Sequence, residues 1–233
     1  MSIAERILQF NEGLSFTGRL PDGVQVMNPF ANSDVRNLTR LFYSKYYNDD
    51  KPRYLILGIN PGRFGAGATG IPFTDTVRLN LYCDIHFEKF RTFEPSSAFI
   101  YEMISEFGGT AEFYERFLFS AICPLGFTII NDKGRQVNYN YYGNADLLRS
   151  VYPFILDTLN RQLEFGISRD ICFCLGTGKN DAFLRKLNAE FLFFREIITL
   201  EHPRYIMQYR SRYKKEYIKK YVDSFTRIGH GNP

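Results

Sequence analysis

The sequence predicts an α/β fold, a three-layer α/β/α sandwich around a central, mostly parallel four-stranded sheet. Four short apolar runs, at 54–60, 117–122, 170–175 and 195–200, have the pattern of strands buried on both faces. Helix-like stretches at about 97–108, 144–164 and 179–192 fall between them, so strand and helix alternate as they do in parallel sheets with crossover helices. Hydrophobic residues make up 45% of the 233 residues, with 23 Phe, 16 Tyr and no Trp. That is bulky apolar mass enough for a sizeable core and excludes a mostly disordered chain.

Taken in order, residues 3–11 read as a short amphipathic helix and 19–34 as loop, with Pro21-Asp22-Gly23 and Asn28-Pro29-Phe30 as breakers. Residues 38–47 look helical, and Asn48-Asp49-Asp50-Lys51-Pro52 ends them. The first strand runs between Pro52 and Pro61-Gly62. After the second strand, Thr128-Ile129-Ile130 and Arg135-Gln136-Val137 flank Asn131-Asp132-Lys133-Gly134 and read as a small hairpin. Beyond the last strand, Tyr205, Tyr209, Tyr213, Tyr217 and Tyr221 recur every four residues, and Ile218, Val222 and Phe225 join them. This spacing predicts a C-terminal helix over about 208–227 with one aromatic face. That face either packs on the sheet or stacks on bases. No repeat or Pro/Ser-rich linker divides the chain, so 1–233 reads as a single domain.

Charge is unevenly distributed. Of the net +4, residues 203–233 carry +6, from eight basic side chains against Glu216 and Asp223, which leaves −2 on 1–202. A basic end on a mildly acidic body suits a polyanion partner, although a solvated helix face has the same composition. No apolar run reaches the roughly 18 residues of a membrane helix. Glu5 and Arg6 interrupt the first apolar stretch, unlike a signal peptide. Four Cys are too few for a disulfide scaffold. Cys172 and Cys174 share one strand face, and none of the four shows Cys-x-x-Cys spacing, so neither a zinc site nor an iron–sulfur cluster is expected. The expectation is a soluble, cytoplasmic monomer, nucleoid-associated if bacterial, with no metal and no membrane partner.

Ligands of open parallel sheets bind at the carboxyl ends of the strands. The segments leaving those ends are Asn60-Pro61-Gly62, Cys123-Pro124-Leu125-Gly126, Gly176-Thr177-Gly178-Lys179 and His202-Pro203-Arg204. The first opens a loop, 58–73, with five Gly and two Pro, suited to close backbone approach to a ligand or merely to a tight connection. It lacks the Gly-Lys-Ser/Thr ending of a Walker loop, and Gly65-x-Gly67-x-x-Gly70 stands too far past the strand for a dinucleotide fingerprint.

The order of residues in this loop is more specific than its composition. Gly58-Ile59-Asn60-Pro61-Gly62, Phe64-Gly65 and Thr69-Gly70-Ile71-Pro72-Phe73 closely resemble the first motif of the single-strand-selective monofunctional uracil-DNA glycosylases, within the uracil-DNA glycosylase superfamily. Ile122-Cys123-Pro124-Leu125 and Gly134-Arg135 resemble its second motif, and His202-Pro203 the start of its last. The resemblance spans roughly 54–205 and is nearest to a bacterial second subfamily.

The resemblance implies a uracil-DNA glycosylase-like fold and a cofactor-free enzyme of base-excision repair. Such an enzyme flips a damaged base out of DNA and hydrolyses its N-glycosidic bond. By resemblance, Asn60 orients the attacking water, His202 donates a hydrogen bond to the base oxygen where charge grows, and Phe73 stacks on the base. Gly62 leaves space and a backbone N–H, and Ile59, Ala121 and Cys123 complete the substrate pocket. Arg63, Pro203, Arg204, Tyr205 and Met207 face DNA. Ala121 departs from the family's base-reading Asn, and a methyl cannot pair with a base edge. The expected base is uracil, with xanthine or other deaminated bases also accepted. The sequence after His202 also departs from the family's Ser-Pro-Arg-Asn. A monofunctional enzyme fits the lack of a Lys at the catalytic positions. Two other readings stay open: a catalytically weak DNA-binding or damage-sensing protein of the same fold, and a nucleotide-binding enzyme using the Gly-rich loop.

Overall fold

The computed structural model describes residues 1–228; His230 lies outside them. Helix α1 (Ile3–Glu12) starts on a capping box in which Ser2 and Glu5 each satisfy the other's backbone N–H. Strand β1 (Val24–Met27) follows, within the segment expected to be loop. Only its partner, about a hundred residues further on, makes it a strand. Helix α2 (Ser33–Tyr46) is capped by Asn32 and starts earlier than the spacing predicts.

Strand β2 (Arg53–Gly58) is buried at all six residues. The motif loop after it contains one helical turn, α3 (Ala66–Thr69), and leads to α4 (Thr76–Cys83), α5 (Pro95–Phe107) and α6 (Thr110–Arg116). Strand β3 (Phe117–Ala121) is followed by the hairpin β4 (Gly126–Ile130) and β5 (Gln136–Tyr139). Then come α7 (Ala145–Leu163), β6 (Ile167–Leu175), α8 (Lys179–Phe191) and β7 (Glu196–Leu200). The C-terminal region is α9 (Pro203–Tyr209), a single 3₁₀ turn over Ser211–Tyr213, and α10 (Lys214–Thr226). One continuous helix over 208–227 was expected. Instead the chain leaves helical geometry at Arg210 (φ −132°) and divides the tyrosine stripe.

The central sheet is parallel throughout, in the order β3-β2-β6-β7, and β4 lies between β1 and β5 in a separate antiparallel sheet. Register explains the three layers. Ile56, Phe119, Phe173 and Ile198 stand in line across the strands, as do Leu57, Ser120, Cys174 and Thr199. The first row faces α6 and α10: Phe113 stacks on Phe119 at 5.3 Å and Phe225 packs on Phe173 at 4.6 Å. The second row faces α7 and α8, where Ser120 meets Gln162, Asn180 donates to the Cys174 sulfur at 3.5 Å, and Thr199 donates to Asp181. Alternate side chains of each strand thus serve opposite helical layers.

Candidate active site

A single cavity gathers Asn60, Gly62, Phe73, Ala121 and His202 at the carboxyl ends of β2, β3 and β7. This is where side chains of parallel strands run out and loops leave backbone polar groups free for a ligand.

Asn60 stands two residues beyond β2. Its Oδ1 accepts from the Tyr141 backbone N–H at 3.1 Å, and its Nδ2 donates to the Tyr139 carbonyl at 3.3 Å. The amide is therefore clamped by the segment leaving β5. One Oδ1 lone pair is used, and the other remains for a water. The next strand residue back, Asn138, ties down the same loop by accepting from the Arg63 N–H at 3.0 Å.

His202 caps α9, and its Nδ1 accepts from the Arg204 backbone N–H at 3.1 Å. An accepting Nδ1 carries no proton, so the neutral ring carries its proton on Nε2. Burial, and secondarily the Arg204 guanidinium, push the imidazole down from 6.5 to about 4. At neutral pH His202 is an uncharged donor held in one tautomer.

Phe73 has φ +54°, a left-handed conformation that costs a bulky residue of order 1–3 kcal/mol and points to function. Thr69 Oγ1 braces the arc by donating to the Thr74 carbonyl at 2.7 Å and accepting from the Ile71 N–H at 3.2 Å. The ring lies on Gly58: a Cβ there would stand 2.8 Å from its Cζ. Phe119 and His202 flank it at 5.4 and 5.7 Å.

Ala121 sits across from Gly58 in the sheet and presents only a methyl to the cavity. Ser120 sends its hydroxyl to Gln162 on α7, whose Nε2 donates back to the Ala121 carbonyl at 3.3 Å. Cys123, expected in the pocket, is fully buried and outside the cavity wall. Its N–H is spent on the Ile59 carbonyl at 3.1 Å, and burial pushes its thiol up to about 12. Ile59 does line the cavity.

Glu94, which the sequence reading did not single out, also lines the cavity. Its Oε1 lies 3.1 Å from where a Cβ on Gly62 would stand, and a Cβ on Gly65 would overlap its carboxylate. Both glycines make room for this acid. Burial first, then the neighbouring Asp75 carboxylate, push it up from 4.5 to about 7, against an opposing pull from Arg204. Asp75 is itself buried, paired to Arg78 at 3.1 Å, and accepts the Glu94 N–H at 2.7 Å. The sequence signal was weak: an acid before Pro95 at a helix start, which is the usual place for a cap.

The residues expected to face DNA divide. Arg204 and Tyr205 are exposed. Arg63 and Met207 are partly buried, and the Arg63 guanidinium lies 4.9 Å from the exposed Phe64 ring. Pro203 is buried in the first turn of α9. Among the described residues, no group of three or more His, Cys, Asp or Glu could hold a metal, the four cysteines are free, and no helix is long and apolar enough to cross a membrane.

An amide and a neutral imidazole, each held by backbone, thus stand beside a strained aromatic at the open end of a parallel sheet. A family model of the uracil DNA glycosylase superfamily matches residues 44–226, and the chain belongs to that superfamily: it is a DNA glycosylase, a hydrolase of base-excision repair. Within it, the chain is similar to SMUG2 from Pedobacter heparinus, known from a crystal structure. The two share 51% identity over 99% of this chain and 100% of that one, with a TM-score of 0.96. A comparison with curated proteins found no match.

Proposed function

We propose that the chain hydrolyses the N-glycosidic bond of a uracil flipped out of DNA, without a lyase step. The observation that carries this is the joint placement of Asn60 and His202 in one cavity, each fixed by backbone hydrogen bonds. Phe73 stacks on the extruded base, and the free lone pair of Asn60 Oδ1 orients a water toward the C1′ carbon. As the C1′–N bond lengthens, the sugar gains oxocarbenium character and the base gains negative charge. An amide is a weak base, but so cationic a centre needs little activation of its nucleophile. His202 Nε2–H meets the growing charge on the base oxygen. A neutral donor leaves the charge on the base partly balanced without first burying a cation. Water oxygen bonds to C1′, its proton leaves to solvent, and the base departs with the bonding pair and is protonated.

The base spectrum follows from Ala121. With a methyl in place of an amide, Ala121 offers the base edge no donor or acceptor. Discrimination then relies on fewer polar contacts, and xanthine is accepted beside uracil.

Strand cleavage after alkali tests this on a labelled oligonucleotide with one uracil. Wild type should cleave, and Asn60→Ala and His202→Ala should each lose about two to three orders of magnitude. Silence on uracil and on a panel of deaminated bases, with DNA still bound, would instead favour a damage-sensing protein. Equal initial rates for both variants and wild type would remove Asn60 and His202 from the mechanism.

A further inference from the structure

The active-site cavity continues beyond the stacking ring. Four successive residues of β3, Leu118 to Ala121, line it. Side chains along a strand alternate between the two faces, so one cavity reaches all four along the strand's free edge, and β3 is an edge strand. Helix α1 adds Ile7, Phe10 and Asn11 to the same wall. Of these three, only Asn11 can hydrogen-bond through its side chain. Asn11 is 7% exposed, and its Nδ2 meets no acceptor among the described residues. Buried donors are nearly always paired, because an unpaired one loses its water and gains nothing in return. Among the described residues, one other buried side-chain atom, Arg63 Nε, is left in this state. The cavity's other asparagines are each engaged: Asn60 with Tyr141, Asn138 with Arg63 and Asn140 with Tyr142.

We propose that Asn11 reads the edge of the flipped base, supplying from α1 the amide that Ala121 does not. This rests on the glycosylase reading. Deamination puts a carbonyl in place of an exocyclic amino group and leaves a ring N–H beside it. An amide carries one donor and one acceptor side by side, complementary to that pair. With Nδ2 toward the carbonyl, the same amide sets donor against donor on cytosine, whose edge has the reverse pattern. A site built to hydrogen-bond a ligand keeps a polar group that the fold itself leaves unpaired. Asn11 is such a group, and it lies in the wall that also holds Asn60, Phe73 and His202.

The test uses Asn11→Leu, which keeps the volume and removes the amide, beside Asn11→Ala, which guards against overpacking. An apolar side chain in place of an unpaired buried amide breaks no native contact, so Asn11→Leu should melt at or above the wild-type Tm. In both variants kcat/KM for uracil release from a labelled single-uracil oligonucleotide should fall about tenfold or more. Their Kd for the undamaged oligonucleotide should stay within about twofold of wild type, since phosphate contacts carry that affinity. Returning an amide by Ala121→Asn in the Asn11→Leu background should recover most of the lost kcat/KM. A merely structural Asn11 gives the opposite pattern. A lower Tm for Asn11→Leu, wild-type kcat/KM in either variant, or no recovery in the double variant would overturn the proposal. Saturation-transfer NMR with free uracil reads the site without catalysis. Uracil bound by wild type but not by Asn11→Leu, with no release from DNA, keeps the site and refutes the glycosylase reading. Uracil release that neither variant changes keeps that reading and refutes the site.

Discussion

Replacing Glu94 with Gln removes a charge from the wall of the active-site cavity while keeping its shape. In the native protein this carboxyl keeps its proton up to about pH 7, against 4.5 in an unfolded chain. Between those values the native state binds more protons than the unfolded one. The stability contributed by the neutral carboxyl is thus fully present below pH 4.5 and is lost as pH rises through 7. Linkage between the two values gives a loss of about 2.5 kcal/mol from pH 5 to pH 8. Screening through the cavity mouth reduces it to about 2 kcal/mol. Gln has no proton to lose, so Glu94→Gln should gain that amount relative to wild type over the same interval. In a protein of this size about 2 kcal/mol corresponds to roughly 4–8 °C in Tm. Melts of both proteins at pH 5, 6, 7 and 8 measure it. Parallel curves would mean that Glu94 ionises freely and that Gly62, Gly65 and Asp75 do not enclose it.

Three further outcomes are expected. Gly58→Ala places a methyl 2.8 Å from Phe73 Cζ. It should lower kcat/KM on uracil DNA by about a hundredfold by shifting the stacked ring, and an unchanged kcat/KM would show that the ring has room to move. Ala121→Asn restores an amide at the base edge and should raise the uracil-to-xanthine rate ratio at least tenfold; an unchanged ratio would mean that Ala121 does not set selectivity. Because His202 stays neutral down to about pH 4, initial rates of the Glu94→Gln enzyme should hold from pH 8 to pH 5 and fall only as the ring is protonated below that. A fall beginning at pH 6.5 would show an exposed, ordinary histidine.

Much of the architecture was written locally. The apolar runs at 54–60, 117–122 and 170–175 are largely buried as their pattern predicts, whereas 195–200, expected to be buried on both faces, forms the partly exposed edge strand β7; strand identity, alternation and the functional edge of the sheet were still legible in the chain itself. Asn60, Phe73 and His202 were legible for a related reason. Each stands just past a strand or inside a Gly-rich loop whose residue order resembles a known motif. Strand β1 was not legible, because Val24–Met27 is a strand only through its pairing with Gly126–Ile129. Nor was the full burial of Cys123, since what packs over a side chain comes from segments distant in sequence.

The chain by itself determined the four strands of the central sheet, the main helices that alternate with them, and the residue types offered at the sheet's open end. Tertiary structure alone decided their chemical state. The clamp on Asn60 comes from backbone some eighty residues away at Tyr139 and Tyr141. The uncharged His202 comes from burial and from the Arg204 N–H that takes one ring nitrogen. The half-protonated Glu94 comes from two glycines and a second acid that close around it. Periodicity reports which face of a segment is buried. The field and hydrogen bonds at one atom depend on every segment folded against it, and these are distant in sequence.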